Sequence, residues 1–193
     1  LYAYIANSSA LDDLDCFSMF GTNSFNLVWE KVCAEVMDNQ LQKPIGGLRL
    51  PMPLAEQYRD MRHKKLIDLI DKPQWSGTAP NSELFVKQAE DTLLPDLISI
   101  VNVDGNYQFI IFDAKYYNIQ LEHNKKLRGQ PGIESITKQY LYQLAYQPFV
   151  EAHQIGTVRN CFLMPTSSAE IVEKGTASLS MLSELGLQDI QVR

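Results

Sequence analysis

Asp96, Asp113 and Lys115 are the residues whose types and spacing in this chain could do chemistry. They lie in the largely apolar stretch LLPDLISIVNVDGNYQFIIFDAKY, residues 93 to 116. Within it, Asp104-Gly105 is a strong hairpin signal, because both central positions of a type I′ turn need positive φ and this pair tolerates it. With those two residues as the loop, Asp96 falls directly opposite Asp113 on the neighbouring antiparallel strand. Lys115, two residues further on, joins the same face. The same register sets Ile98 against Ile111 and Ile100 against Phe109, with Leu97 and Phe112 paired on the reverse side. Both faces are apolar, so the hairpin is expected inside a sheet covered by helices. Two facing carboxylates there repel each other and lose hydration. A divalent cation bound between them would offset both effects, and Lys115 would add positive charge toward an attacking water or a phosphate. The plainer alternative is an internal ion pair, with Lys115 neutralising one aspartate near the end of the sheet.

Other segments must position these groups. From Phe25 the apolar residues Phe25, Val28, Trp29, Val32, Cys33, Val36 and Met37 recur at helical spacing, with Ser24 or Asn23 available as a cap and Asn39 ending the run. Residues 40 to 53 hold Pro44, Gly46, Gly47, Pro51 and Pro53 and read as a loop. A second helix is expected from Leu54 to Ile70, broken by DKPQWSG. LRGQPG is a loop, and a long amphipathic pattern from about Ile133 to His153 carries Ile136, Tyr140, Leu141 and Leu144, with a kink or a new turn expected at Pro148. TVRNCFLMPTS reads as a buried strand closed by Pro165. Helices and strands are therefore intermixed in an α/β arrangement.

Composition narrows the function classes. The 193 residues are 45% hydrophobic and 21% charged, which matches a globular chain with one sizeable core. One domain over residues 1 to 193 is expected, and because the first residue is Leu1, it can be a piece of a longer polypeptide. No apolar run approaches the roughly 18 residues of a membrane span, and Asp12, Asp13 and Asp15 interrupt the N-terminal apolar positions. Cys16, Cys33 and Cys161 form no CxxC or Cys/His pattern, which argues against a disulfide framework and a structural zinc site and favours a reducing, cytoplasmic location. With a net charge of -6 the whole-molecule field does not steer a polyanion toward the chain. Any nucleic-acid site must therefore be local. HNKKLRG, with Lys125, Lys126 and Arg128, is the better placed basic run, and RDMRHKK is the other. Tyr116 and Tyr117 read as packing residues. His63, His123 and His153 lack mutual metal-ligand spacing and read as surface or loop residues.

LLPD followed by DAK resembles the core of the PD-(D/E)xK nucleases. With FGTNSFNLVWEKVC, KKLIDLIDKPQW and SITKQYLYQLAY in order around it, residues 20 to 146 are similar to restriction endonucleases of the LlaJI type, with McrC-type nuclease subunits as a nearby second match. The resemblance implies a restriction-endonuclease-like fold, a mixed central sheet with a catalytic antiparallel hairpin flanked by helices. It implies an Mg2+-dependent endonuclease of a restriction system acting on double-stranded DNA, with Mn2+ able to substitute. Asp96, Asp113, the Ala114 carbonyl and Glu30 would be metal ligands, and Lys115 would serve the attacking water. Without it, Glu30 reads as a solvated residue beside the apolar stripe. Gln139 would orient substrate or water from the later helix, with Gln143 as the alternative because neither shows the QxxxY spacing. Implied partners are a recognition subunit or a nucleotide-driven AAA+ motor. A non-catalytic DNA-binding or assembly module on the same fold, and an unrelated metal-binding hydrolase or structural partner domain, are the other readings.

Overall fold

The computed structural model describes residues 24 to 168 and 170 to 193; the proposed Asn23 cap and Cys16 lie outside them. Among the described residues the α-helices are α1, Phe25–Val36, and α2, Ile133–Ala152. Strands β3, Leu97–Val103, and β4, Asn106–Ala114, form the predicted hairpin. Its register is the one the turn dictates, with Leu97 opposite Phe112, Ile98 opposite Ile111 and Ile100 opposite Phe109. Asp104 and Gly105 both take positive φ, 52° and 86°, as a type I′ turn requires. β4 runs parallel to β5, Thr157–Leu163, after α2 crosses over. β6, Gly175–Ala177, and β7, Ile190–Val192, complete a mixed sheet in the order β3-β4-β5-β7-β6. The fold is α/β, as expected.

The hairpin lies at the edge of that sheet, with β3 outermost, and its exposed backbone is covered by the segment that follows α1. Asn39 Oδ1 accepts from the Ile98 and Leu41 amides at 3.1 and 3.0 Å, Asn39 Nδ2 reaches the Asp96 carbonyl at 3.4 Å, and the Gln40 amide donates to the Ile98 carbonyl at 2.7 Å. This pairing hides the edge from other strands. Asn39→Ala would orphan the buried Ile98 amide and is expected to cost about 2 to 3 kcal/mol in chemical denaturation. Asn39→Asp keeps the acceptor and should recover part of that loss.

Each face of the hairpin packs under its own helix. Leu97, Phe112 and Ala114 meet Trp29, Cys33 and Met37 of the α1 segment, while Ile98, Ile100, Phe109 and Ile111 meet Tyr142, Tyr146 and Phe149 of α2. Among the described residues only one edge of the α1 stripe is used; Phe25, Val28, Val32 and Val36 are exposed. The α2 face is also rotated from the expected one, since Leu141 and Leu144 are exposed while Gln139 and Gln143 are buried. Pro148 lies within one continuous helix.

Residues 54 to 70 do not form the expected helix. They make short turns at Glu56–Met61 and Leu66–Leu69, because the intervening backbone pairs instead with the loop before it. The Ile45 amide bonds the Lys64 carbonyl, the Gly46 amide that of Arg62, and the Leu66 amide the Lys43 carbonyl. His153 is fully buried, not a surface or loop residue: its Nε2 accepts from the Ala55 amide at 3.1 Å and its Nδ1 lies 2.7 Å from the Phe149 carbonyl. It ties these turns to α2. A two-stranded ribbon of β1, Gln74–Thr78, and β2, Leu84–Gln88, was not expected from the sequence. None of the described helices is long and apolar enough to cross a membrane.

Candidate active site

Asp96 lies immediately before β3, and Asp113 is the penultimate residue of β4. Their carboxylates face each other on the α2 side of the sheet, and Lys115 Nζ lies 2.8 Å from Asp113 Oδ1. Asp96 Oδ2 accepts from the Ala114 amide at 2.8 Å. The backbone around the pair is fixed from several sides. Tyr142 Oη donates to the Leu94 carbonyl at 2.8 Å, just ahead of Pro95-Asp96, and the Lys115 amide donates to the Leu163 carbonyl at 2.9 Å. Trp29 Nε1 reaches the same Leu163 carbonyl at 3.1 Å. Asn39 and Tyr142 therefore position Asp96, although no local pattern marks either for that task. The three charged groups sit at the carboxyl ends of the parallel pair β4 and β5, where open α/β sheets form crevices.

Burial and repulsion define the electrostatics. Loss of solvent, followed by the hydrogen bond and the charge of Asp113, pushes the Asp96 carboxyl up to about 7. Burial alone would lower the Lys115 ammonium, but its bond to Asp113 and the charges of Asp113 and Asp96 outweigh this and hold it above its ordinary value. The field extends to neighbours. Burial and then the charges of Asp96 and Glu30 push the Cys33 thiol up to about 11, and the Tyr142 hydroxyl is raised by burial and then by Asp113 and Asp96.

Glu30 is half-buried on α1 and lines a hollow of about 440 Å³ with Ala114, Lys115, Tyr116 and Tyr117. Among the described residues no three Asp, Glu, His or Cys side chains gather closely enough to hold a metal by themselves, so Glu30 does not complete a three-carboxylate set with the aspartates. The available donors, Asp96, Asp113 and the Ala114 carbonyl, are all oxygen, a set that suits a hard divalent cation retaining waters.

The two glutamines are engaged in packing. Gln139 is fully buried, its Nε2 donating to the Ile111 and Cys161 carbonyls at 3.1 and 3.4 Å, and its Oε1 has no hydrogen-bond partner among the described residues. Gln143 Oε1 accepts from Asn160 Nδ2 at 2.7 Å and from the Gln188 amide at 3.1 Å. Lys125, Lys126 and Arg128 are exposed in the loop after β4, where Lys125 is paired with Glu122 at 2.8 Å. Tyr116 and Tyr117 are not core packing residues: 49% and 42% of their surface is exposed, and Tyr116 stacks on Phe25.

The sequence matches the family model of the LlaJI restriction endonuclease over residues 56–189, which includes Asp96, Asp113 and Lys115 but not Glu30. The chain belongs to the LlaJI restriction endonuclease family. It is similar to the Type II restriction enzyme BsuMI component YdjA of Bacillus subtilis (strain 168), with 32% identity over 152 residues, which are 79% of this chain and 26% of that protein. This LlaJI-family chain thus spans about a quarter of the length of the curated relative it matches. No solved structure matches it.

Proposed function

We propose that this chain is the nuclease domain of a restriction system and hydrolyses phosphodiester bonds in double-stranded DNA with Mg2+, or Mn2+ in its place. The observation that carries the reading is the cluster at the carboxyl end of β4, where two facing carboxylates carry a mutual repulsion and a lysine is bonded to one of them. Membership of a restriction endonuclease family supplies the substrate class. Asp96, Asp113 and the Ala114 carbonyl would hold the cation, and Glu30 would act on it only indirectly, from α1 across the adjoining hollow. When bound, it would supply Lewis acidity toward a phosphate oxygen and a lowered pKa for water. The carboxyl of Asp96, which sits near 7 in the free protein, would then be ionised throughout the neutral range.

Lys115 has a different task. In the metal-free protein Asp113 and Asp96 hold its ammonium above its ordinary value; beside the bound cation it would orient the attacking water or help deprotonate it, and stabilise charge growing on the phosphate. Gln139 and Gln143 would act indirectly, by holding α2 against β4 and β5. Sequence recognition is proposed to belong to a further domain or subunit, and strand delivery to an AAA+ motor partner; the YdjA relative is itself described as one component of an enzyme.

The test is nicking of supercoiled plasmid by the purified protein, alone and with the other components of its restriction system. Cleavage is expected with Mg2+ or Mn2+ and not with Ca2+ or EDTA, and it should increase when the partners are supplied. Equal cleavage in EDTA, or none in Mg2+ with all components present, would refute the proposal.

A further inference from the structure

Next to the hollow that contains Lys115 lies a second cleft of about 600 Å³, and Tyr116 and Tyr117 line both. It lies at the carboxyl ends of β4 and β5, and Asn118, Thr166, Ser167, Lys174 and Arg193 are among its lining residues. Among the described residues no carboxylate side chain lines it. The cavity beside β2, by contrast, sets Asp68, Asp71, Glu90 and Asp91 beside its Lys64 and Lys72.

Both cations rise from fixed backbone. The Lys174 amide donates to the Val192 carbonyl at 2.8 Å, the Arg193 amide donates to the Phe162 carbonyl at 3.0 Å, and the Met164 amide donates to the Arg193 carbonyl at 2.8 Å. Their charges are poorly neutralised. Lys174 is exposed and makes no ion pair among the described residues, while Arg193 reaches Glu173 only at 3.5 Å and keeps a buried Nε with no acceptor. Phosphate oxygens match what these donors lack, and half-exposed tyrosine rings with neighbouring hydroxyl and amide groups suit the sugars and bases of the same strand.

We propose that this cleft holds the backbone of the bound DNA strand next to the scissile phosphate, with Lys174 and Arg193 as phosphate contacts and Tyr116 and Tyr117 as the wall over which the strand passes. The inference rests on the nuclease reading for its substrate and goes beyond it by assigning the strand's path and the residues that hold it. These cations are better placed than Lys125, Lys126 and Arg128, which lie out on the exposed loop with Lys125 already paired.

Binding can be measured without turnover. Anisotropy of a labelled DNA duplex is followed across a salt series in Ca2+ for the wild-type protein, Lys174→Ala, Arg193→Gln and the double variant. Each lost phosphate contact should lower the slope of log K against log salt by about 0.9, and the double variant should lose about twice that. Melting temperatures report on folding; if Arg193→Gln perturbs the fold, the exposed Lys174→Ala decides the matter alone. An unchanged slope in well-folded variants, or no salt-sensitive DNA binding by the wild type, would overturn the proposal. Because the readout is binding, its failure is separable from that of the hydrolysis reading, which Asp113→Asn and cleavage address.

Discussion

Lys115→Ala should lower the rate of DNA hydrolysis by about 10² to 10³ fold at saturating Mg2+, the loss typical when one preorganised positive or hydrogen-bonding group is removed from a site of developing charge. DNA affinity should change little, because the proposed phosphate contacts lie elsewhere. The Lys115 ammonium is bonded to Asp113 and rigidly launched, since its own amide is tied to the Leu163 carbonyl. A cation held that firmly needs no reorganisation when negative charge grows on the phosphate. The variant also leaves Asp113 without its partner, so without metal the protein should be less stable than the wild type, and Mg2+ should restore part of the difference. Single-turnover cleavage and melting curves with and without Mg2+ check both halves. Wild-type cleavage rates in the alanine variant would remove Lys115 from the mechanism.

Asp96→Asn should raise the melting temperature of the metal-free protein above neutral pH and leave it unchanged near pH 4. The carboxyl of Asp96 ionises near 7 in the folded protein, whereas in an unfolded chain it does so at about 3.9. Below both values the proton is bound in either state and the residue adds nothing to the pH dependence. As pH rises between them, the unfolded chain releases the proton and the folded protein retains it, so stability falls with each unit and then levels off above about 7. The full penalty is a few kcal/mol, on the order of 1.4 kcal/mol per unit. Partial solvent exposure of Asp96 reduces it. Asparagine keeps an acceptor for the Ala114 amide and removes the repelling charge. The expected gain at pH 8 in EDTA is about 4 to 10 °C for a chain of this size. Mg2+ should stabilise the wild type and not the variant. A variant less stable than the wild type at pH 8 in EDTA would show that the two carboxylates do not oppose folding.

The hairpin was legible because two local rules agree: an Asp-Gly pair fixes the loop, and strand alternation then fixes every facing pair out to Leu97 and Phe112, beyond which Asp96 meets Asp113. α1 was legible from its period, but the side it presents was not, since only the Trp29, Cys33 and Met37 edge meets the sheet. Where partners distant in sequence decide, the pattern misled. Gln139 and Gln143 face inward because carbonyls of β4 and β5 and the Asn160 amide await them, while Leu141 and Leu144 turn to solvent. Residues 54 to 70 gave up helical bonds for backbone pairing with residues 43 to 46, which no propensity announces. The edge cover by Asn39 and Gln40 likewise depends on contacts nearly 60 residues away. Within the site, Asp96, Asp113 and Lys115 followed from register, whereas Glu30 and Gln139 followed only from family resemblance, and the structure gathers the first three more closely than the other two.

The most direct measurement is Mg2+-dependent nicking of supercoiled plasmid by the wild-type protein and by Asp113→Asn, assayed side by side with the same partner components after melting curves show that both are folded. Asparagine preserves the shape of the side chain that faces Asp96 and bonds Lys115 while removing its charge. The wild type should convert plasmid to open circles and the variant should leave it supercoiled. Equal cleavage by a folded Asp113→Asn would contradict the assignment of the carboxylate pair as the nuclease centre.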